Sequence, residues 1–148
     1  MNTQKLVDLC TFTNGGAWNE SEYVSSGLPV IKVSDLKNSE ISTDNISYIS
    51  KKSYKKYQKN ELRTNDVIIA TVGSHPSLES SAAGRSVVVT KLHKGYLLNQ
   101  NAVCIRSNDP SILDQRFLGY LTKSQNFKHY IQNRGAGAAN QMRIPIAA

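Results

Sequence analysis

The stretch "DVIIATVGS" (residues 66–74) carries the clearest strand signal in the chain. Residues 67–70 form an unbroken apolar run of Val, two Ile and Ala. A short run with no polar residue at alternate positions is typical of a strand buried on both faces. Gly73 and Pro76 then end the pattern. The stretch therefore predicts a strand whose two faces are both covered by other parts of the molecule.

More strand candidates follow downstream. The segment "RSVVVTK" (85–91) is a second run of β-branched residues, which favour strands. The segment "KGYLLNQNAVCIRS" (94–107) contains two strand pieces that flank three consecutive amides at residues 99–101. This part of the chain therefore predicts a group of short strands joined by short connections.

Two candidates lie upstream. The segment "LPVIKVSDL" (28–36) predicts a strand from Pro29 to Val33 that runs into a turn or short helix capped by Ser34 or Asp35. The segment "NISYIS" (45–50) predicts another short strand.

The C-terminal third predicts a helix that begins near residue 110. Asp109 is a good N-cap, and Pro110 fits the first helical position. Apolar residues then recur at helical spacing, which predicts one buried face made of Leu113, Phe117, Tyr120 and Leu121.

A second helix is predicted directly after the first. Ser124 can cap it, and Gly135 is a plausible residue to end it. Its inward-facing residues are expected to be Phe127, Tyr130 and Ile131. With the strands, this predicts an α+β fold: a single domain over residues 1–148, with a twisted sheet of roughly six to eight short strands and a C-terminal helical pair.

Composition limits the cellular setting. No run of about 18 apolar residues is present, and the N-terminus lacks the apolar stretch of a secretion signal. We therefore expect a cytoplasmic protein. Cys10 and Cys104 lie far apart in apolar segments, which predicts two buried free thiols, with a disulfide as the alternative.

The charge balance favours a polyanionic partner. Eighteen Lys and Arg residues exceed eleven Asp and Glu residues, giving a net charge of +7. Nucleic acid is the favoured partner, because no basic amphipathic helix of the membrane-surface kind is present. The alternative is a basic protein whose charge serves no partner.

Motifs for catalysis, metal or cofactor binding are weak. His75, His93 and His129 are scattered, without nearby Cys or acidic residues at metal-ligand spacing. Ser74 in "TVGSH" lacks the second glycine of a nucleophile elbow, and the glycine pair at 15–16 is no phosphate-binding loop. The acidic residues do not form a magnesium-nuclease pattern either. We therefore expect a binding module without metal or cofactor, rather than an enzyme.

Several stretches, taken in order, resemble target recognition domains, the DNA-reading domains of type I restriction-modification specificity subunits. Each stretch alone is a weak signal, but their order along essentially the whole chain is specific. The stretches are "LVDLCTFTNGGAW" (6–18), "GLPVIKVSDL" (27–36), "LRTNDVIIATVGS" (62–74), "GRSVVV" (84–89), "LLNQNAVCIR" (97–106), "FLGYLTKS" (117–124) and "RGAGAANQMRIPI" (134–146).

The resemblance implies a role and partners. A specificity subunit carries two such domains, each of which reads one half of a split duplex-DNA target. Its spacer helices bind methyltransferase subunits, while methylation and cleavage belong to the methyltransferase and restriction subunits. Here one domain is present and no sustained heptad appears. Alternatives are the recognition domain of a fused methyltransferase-nuclease, or a basic adaptor for RNA or protein.

Contacts to DNA phosphates are expected from one lysine-rich stretch. "SKKSYKKYQKN" (50–60) is too polar for a core helix and predicts a short exposed helix or ordered loop. It places Tyr54 and Tyr57 among the candidate phosphate-binding residues Lys51, Lys52, Lys55, Lys56 and Lys59. The alternative is a solvated helix face that points away from DNA.

Base contacts are expected from two loops. Arg pairs well with guanine, and Asn or Gln pairs well with adenine. The first loop contributes His75, Ser77 and Arg85, and the second contributes Arg134, Asn140, Gln141 and Arg143. Glycines let the second loop approach the duplex closely, although it could instead be a helix-to-strand connection that satisfies its own backbone. The hypothesis requires both loops to share one positive surface.

Other polar residues are ambiguous. Lys32 lies on a strand and could face either solvent or a DNA groove. The amides at 99–101 are more easily explained as partners of backbone groups than as base readers. The glycines at 15–16, with Trp18, predict a turn whose indole packs on the core, with a DNA-facing loop as the second choice.

Overall fold

The computed structural model describes residues 4–37, 40–73, 84–132 and 142–143. Within these residues the chain forms short strands followed by a helical pair, which confirms the α+β class. The strands are β1 (Cys10–Asn14), β2 (Tyr23–Val24), β3 (Leu28–Ile31), β4 (Ser47–Ile49), β5 (Val67–Ala70), β6 (Val72–Gly73), β7 (Ser86–Val88), β8 (Leu97–Leu98), β9 (Ala102–Ser107) and β10 (Met142–Arg143). The α-helices are α1 (Leu6–Leu9), α2 (Tyr54–Tyr57), α3 (Gln115–Lys123) and α4 (Gln125–Gln132).

The strands form two small sheets and a short ribbon. The first sheet has the order β1-β9-β5-β7, and every neighbouring pair in it is antiparallel. The second sheet has the order β2-β4-β3-β8, in which β3 and β8 run parallel. The ribbon consists of β6 and β10. The single twisted sheet expected from the sequence is therefore divided into two packed sheets.

The position of β5 explains its apolar sequence. Ile68 and Ala70 face the core that lies between the two sheets. Val67 and Ile69 face the opposite core, which contains Leu118 of α3. All four β5 residues are buried, so the predicted two-sided burial is confirmed.

The cores define four layers. The helical pair packs on the outer face of the first sheet, through Leu118 and Ile131. The two sheets pack face to face, and the outer face of the second sheet is covered by Tyr57 of α2 together with Trp18. The helical pair and the segment around α2 therefore lie on opposite sides of the molecule.

The two cysteines are free and buried, as the sequence predicted. Cys104 faces the core between the sheets, whereas Cys10 faces the core beneath the helices. Because the two side chains lie on opposite faces of the first sheet, they do not form the alternative disulfide. Burial raises the pKa of the Cys104 thiol to about 12.

The predicted start of the first C-terminal helix is wrong, and its predicted face is right for Leu113, which packs on the core, and for the half-buried Leu121, but wrong for Phe117 and Tyr120. Helix α3 begins at Gln115, and the carboxylate of its N-cap Asp114 accepts the backbone N–H of residue 116. Asp109 instead caps a separate turn, accepting the N–H of Ser111 at 2.9 Å.

The buried face of α3 is set by close packing against β7. Leu118 and Thr122 are buried, whereas Phe117 is 57% exposed and Tyr120 is 77% exposed. A Cβ at Gly119 would lie 2.9 Å from the side chain of Val88, so the glycine allows this side of the helix to approach the sheet. Local apolar spacing did not reveal that approach.

The predicted start of the second C-terminal helix is confirmed. The Ser124 hydroxyl accepts the N–H of Phe127 at 3.2 Å and so caps α4. Ile131 is buried and Phe127 half-buried, but Tyr130 is 49% exposed. Gly135 lies outside the described residues.

None of the helices in the described part of the chain has the length and apolar character that a membrane crossing requires.

The strand predicted from Pro29 to Val33 is β3, which ends at Ile31. A 3-10 turn follows at Val33–Asp35, and its N-cap is Lys32 rather than Ser34 or Asp35. The carboxylate of Asp35 accepts the Lys32 backbone N–H at 2.9 Å from inside the turn. The apolar pattern therefore located the strand, but the residue type did not identify the cap.

Candidate nucleic-acid interface

The β6–β10 ribbon joins one end of each of the two loops in which base-contacting residues were predicted. Met142 pairs with Gly73, and Arg143 pairs with Val72. Gly73 is the last described residue before the first loop, and Met142 is the first described residue at the end of the second loop. The backbone pairing thus brings together two points that are about 70 residues apart in sequence, at the end of the first sheet where β5 finishes.

The other end of the first loop, at residues 84–85, lies at the same end of the first sheet. The Ala70 N–H donates to the Arg85 carbonyl at 2.9 Å, and the Gly84 N–H donates to the Ala70 carbonyl at 2.8 Å. Residues 72–73, 84–85 and 142–143 therefore lie at one end of the first sheet, which we call the loop edge. The ends of the two loops thus lie close together, whereas the loops between these ends lie outside the described residues.

The turn at residues 99–101 adjoins the loop edge. The Thr71 N–H donates to the Asn101 carbonyl at 2.9 Å, which ties the turn to the segment leading into β6. On its other side, the N–H of Gly16 donates to the Leu98 carbonyl at 2.8 Å. A Cβ at Gly15 would lie 1.7 Å from the Asn99 carbonyl oxygen, so only glycine permits this approach.

The three amides of the turn have different surroundings. Asn99 is half-buried; its Nδ2 donates to the Tyr23 hydroxyl at 3.2 Å, and its Oδ1 accepts the Gln100 N–H at 2.7 Å. This agrees with the structural interpretation of Asn99. Gln100 and Asn101 are exposed, and Asn101 has a φ of 67°.

The lysine-rich stretch folds as three consecutive short helical turns, Lys51–Ser53, α2 and Gln58–Asn60, which we call the lysine segment. This fits the predicted short exposed helix. Its five lysines, Lys51, Lys52, Lys55, Lys56 and Lys59, are all exposed. A row of exposed ammonium groups on a fixed backbone can attract a phosphate chain.

The lysine segment is anchored by Tyr57. This residue is 5% exposed, and its ring meets the Trp18 ring edge-on at 5.0 Å. Its hydroxyl donates to Glu22 Oε2 at 3.0 Å, while Lys56 Nζ lies 3.9 Å from the other oxygen of the same carboxylate. The N–H of Asn19, with help from Tyr57 and Lys56, lowers the pKa of Glu22, so Glu22 is ionised at neutral pH. The Trp18 indole packs on the core, as predicted.

The lysine segment adjoins the 99–101 turn. Asn60 is 4% exposed, and its Nδ2 donates to the Asn14 carbonyl at 2.7 Å, at the end of β1 next to the glycine pair. Glu61 then bridges to Leu97, directly before the 99–101 turn. The cationic segment, the turn and the loop edge are thus joined by successive contacts.

Two candidate cations bond to the protein itself. Arg85 is half-buried, and its Nη1 donates to the Leu36 carbonyl at 2.6 Å. Lys32 is also half-buried, and its Nζ donates to the Ser47 hydroxyl at 3.0 Å. Both side chains hold neighbouring segments in place, and because a guanidinium has five N–H donors and an ammonium three, these bonds do not exclude a contact to DNA.

The other predicted base-contact residues lie mostly outside the described residues: His75, Ser77, Arg134, Asn140 and Gln141. Arg143 is described only as a backbone position in β10. The structure thus places the ends of both loops without describing their tips.

One ion pair, at the end of the first sheet away from the loop edge, has no sequence signal. Arg106 donates two hydrogen bonds of 2.7 Å to the carboxylate of the buried Asp66. Its Nη2 also donates to the Glu61 carbonyl at 2.7 Å. The pair joins β9 to the turn before β5. An arginine and an aspartate forty residues apart give no local pattern that would reveal such a pair.

Metal chemistry gains no support where side chains are described. No group of three His, Cys, Asp or Glu residues suitable for a metal occurs in that part of the chain. His93 is buried beside the Tyr96 ring, and burial lowers the pKa of its imidazole.

Comparison with known proteins gives one family match. The model of the type I restriction modification DNA specificity domain matches residues 1–144. No curated protein matches the chain.

Solved structures share the fold at low sequence identity. The S subunit of a type-I restriction-modification system from M. genitalium aligns with a TM-score of 0.62 and 16% identity, over 97% of this chain and 30% of that chain. The HsdS subunit from Thermoanaerobacter tengcongensis aligns with a TM-score of 0.56 and 16% identity, over 95% and 32%. A chain from a study of complex assembly and conformational transition of the type I R-M system aligns at 0.50 and 16%, over 95% and 33%. The chain thus spans about a third of the length of these relatives.

Proposed function

The chain belongs to the family of type I restriction modification DNA specificity domains, and from this premise we propose that it binds duplex DNA and reads one half of a bipartite target. The single observation that carries the proposal is the β6–β10 pairing, which joins one end of each candidate reading loop at the loop edge. Sequence is read where directional side chains meet base edges, so two loops rooted together can address neighbouring base pairs.

Affinity and specificity are divided between two parts of this surface in the proposal. Lys51, Lys52, Lys55 and Lys56 bind phosphates, with Lys59 beside them, and supply the salt-dependent part of the affinity. Base readout belongs to His75 and Ser77 of the first loop and to Arg134, Asn140, Gln141 and Arg143 of the second. Arg85, with the first loop, and Lys32 complete the proposed DNA contacts, in addition to their bonds to Leu36 and Ser47.

The assembly follows from the family and is proposed on that basis. Residues 1–148 form one recognition domain that acts with methyltransferase and restriction subunits in the cytoplasm. Those subunits carry out methylation and cleavage, and this chain contributes recognition without a catalytic group, metal or cofactor of its own.

Selection from random duplexes tests the proposal directly. We expect the full chain, within the assembled complex, to enrich one half-site. Replacing Arg143 or Gln141 with Ala should relax the preference at particular base pairs, because each good side-chain–base pair discriminates by about 1–3 kcal/mol.

The matched control is Arg116→Ala. Arg116 is an exposed arginine on α3 next to Gln115, whose side chain bonds Ser107 and Asn65, so its loss removes the same charge from the end of the first sheet away from the loop edge. Retention of the full base preference by the Arg143 and Gln141 variants would refute the assignment of the second loop. Preference for structured RNA over duplex DNA at fixed salt would refute the proposal itself.

A further inference from the structure

The 99–101 turn presents an amide that the fold does not use. Gln100 is exposed, and within the described residues its side chain makes no hydrogen bond. Its neighbour Asn99 already satisfies the turn, by bonding the Gln100 N–H and the Tyr23 hydroxyl. The structural explanation that covers Asn99 therefore does not extend to Gln100.

The turn is held rigidly from both sides. Thr71 binds the Asn101 carbonyl, and Gly15 and Gly16 lie against Asn99 and Leu98. A Cβ at Gly15 would collide with the turn backbone, so the turn has no room to shift toward that side. A side chain on such a support keeps its place and loses little backbone entropy when it binds.

The turn also lies between the two parts of the proposed interface. Successive contacts run from Asn60 of the lysine segment through Asn14 and the glycine pair to the turn, and from the turn through Thr71 to β6. Residues 99–101 therefore connect the lysine segment to the loop edge.

We propose that Gln100 donates a hydrogen bond from Nε2 to a phosphate oxygen of the DNA backbone, and so fixes the register of the duplex over the reading loops. This inference rests on the proposed function. A phosphate contact is favoured over a base contact, because roughly half to two-thirds of protein–DNA hydrogen bonds go to phosphate and sugar and set the position of the duplex, a task that suits a fixed support. Neutral amides commonly bind phosphates and set orientation without reading sequence.

A set of substitutions at this position separates the roles. Gln100→Ala should weaken binding to every duplex by roughly two- to tenfold, the effect of one hydrogen bond. The slope of log K against log salt should stay unchanged, because no charge is lost. Gln100→Glu, with the same shape but a negative charge, should weaken binding by more than about tenfold, because like charges repel.

Gln100→Lys supplies the sharpest measurement. A lysine at this position should restore binding to all sequences and steepen the salt slope by about 0.9, the value for one added phosphate contact. Asn126→Ala, which removes an exposed amide on α4, is the matched control and should bind as the wild-type chain does.

The outcomes separate this inference from the proposed function. If the wild-type chain selects a half-site while Gln100→Ala and Gln100→Glu bind equally well, the Gln100 assignment is wrong and the function stands. A changed preference at one base pair in Gln100→Ala would make the residue a base reader and overturn the phosphate contact. Absence of duplex binding by the wild-type chain would overturn both.

Discussion

The lysine segment and the 99–101 turn adjoin each other but are built in opposite ways. The lysine segment is held through side chains, with Tyr57 and Asn60 buried and every lysine exposed. The turn is held largely through its backbone, by hydrogen bonds and by the close approach of Gly15, with the Asn99 side chain adding a bond to Tyr23. Flexible cations suit attraction to any phosphate chain, whereas a fixed neutral amide suits placement. The two regions can therefore divide two tasks: the lysines supply affinity for any duplex, and the turn fixes the position of the duplex along the protein.

The largest test of this contrast removes the cations. Replacing Lys51, Lys52, Lys55 and Lys56 with Ala should weaken binding to every sequence by up to about 10³-fold at ~0.15 M salt, and flatten the salt slope by about 3.6. Titrations at several salt concentrations measure both effects. Stability should change little, because these side chains are exposed.

The control for the lysine variant is Lys91→Ala with Lys94→Ala. Both residues are exposed and follow β7 at the end of the first sheet away from the loop edge. Their loss should leave the salt slope unchanged. An unchanged slope in the four-lysine variant instead would show that the lysine segment faces away from DNA.

The next test attacks the rigid turn. Gly15→Ala should lower the free energy of unfolding by about 1–3 kcal/mol, because the new Cβ meets a backbone carbonyl that cannot move aside easily. Gly16→Ala should cost less, since its Cβ would meet the side chains of Trp18 and Asn60. Urea unfolding of both variants measures the difference. Equal stabilities of Gly15→Ala and wild type would show that the turn is not rigid.

The smallest test concerns the sheet beneath the turn. The Cys104 pKa of about 12 lies above its ordinary value of 9.0, so the unfolded chain loses this proton first. This contribution to stability is complete below pH 9, and from there toward pH 12 it should fall by about 1.4 kcal/mol per pH unit.

Urea unfolding of wild type and Cys104→Ala at pH 8 and pH 10 isolates this contribution. The wild-type chain should lose more stability between the two pH values than the variant does. Identical losses would mean that solvent reaches Cys104 and that the sheet under the turn is open.

Helix α3 shows where local spacing was insufficient. Apolar residues at helical spacing predicted that Phe117 and Tyr120 face inward, yet both are largely exposed. The buried side is fixed by Gly119 against Val88, a contact between segments thirty residues apart. Periodicity describes one helix alone, so it cannot identify which face finds a partner.

The sequence by itself determined the strands β3, β4, β5, β7, β8 and β9, the free thiols, the positive charge and the resemblance to a DNA-reading family. These follow from short apolar runs, residue types and motif order, all of which are local or additive properties of the chain. Only the tertiary structure decided how Arg85, Arg106 and Lys32 are used, since their partners Leu36, Asp66 and Ser47 are distant in sequence. It also decided that Gly73 and Met142 pair, because a strand of two residues carries too little pattern to specify its partner.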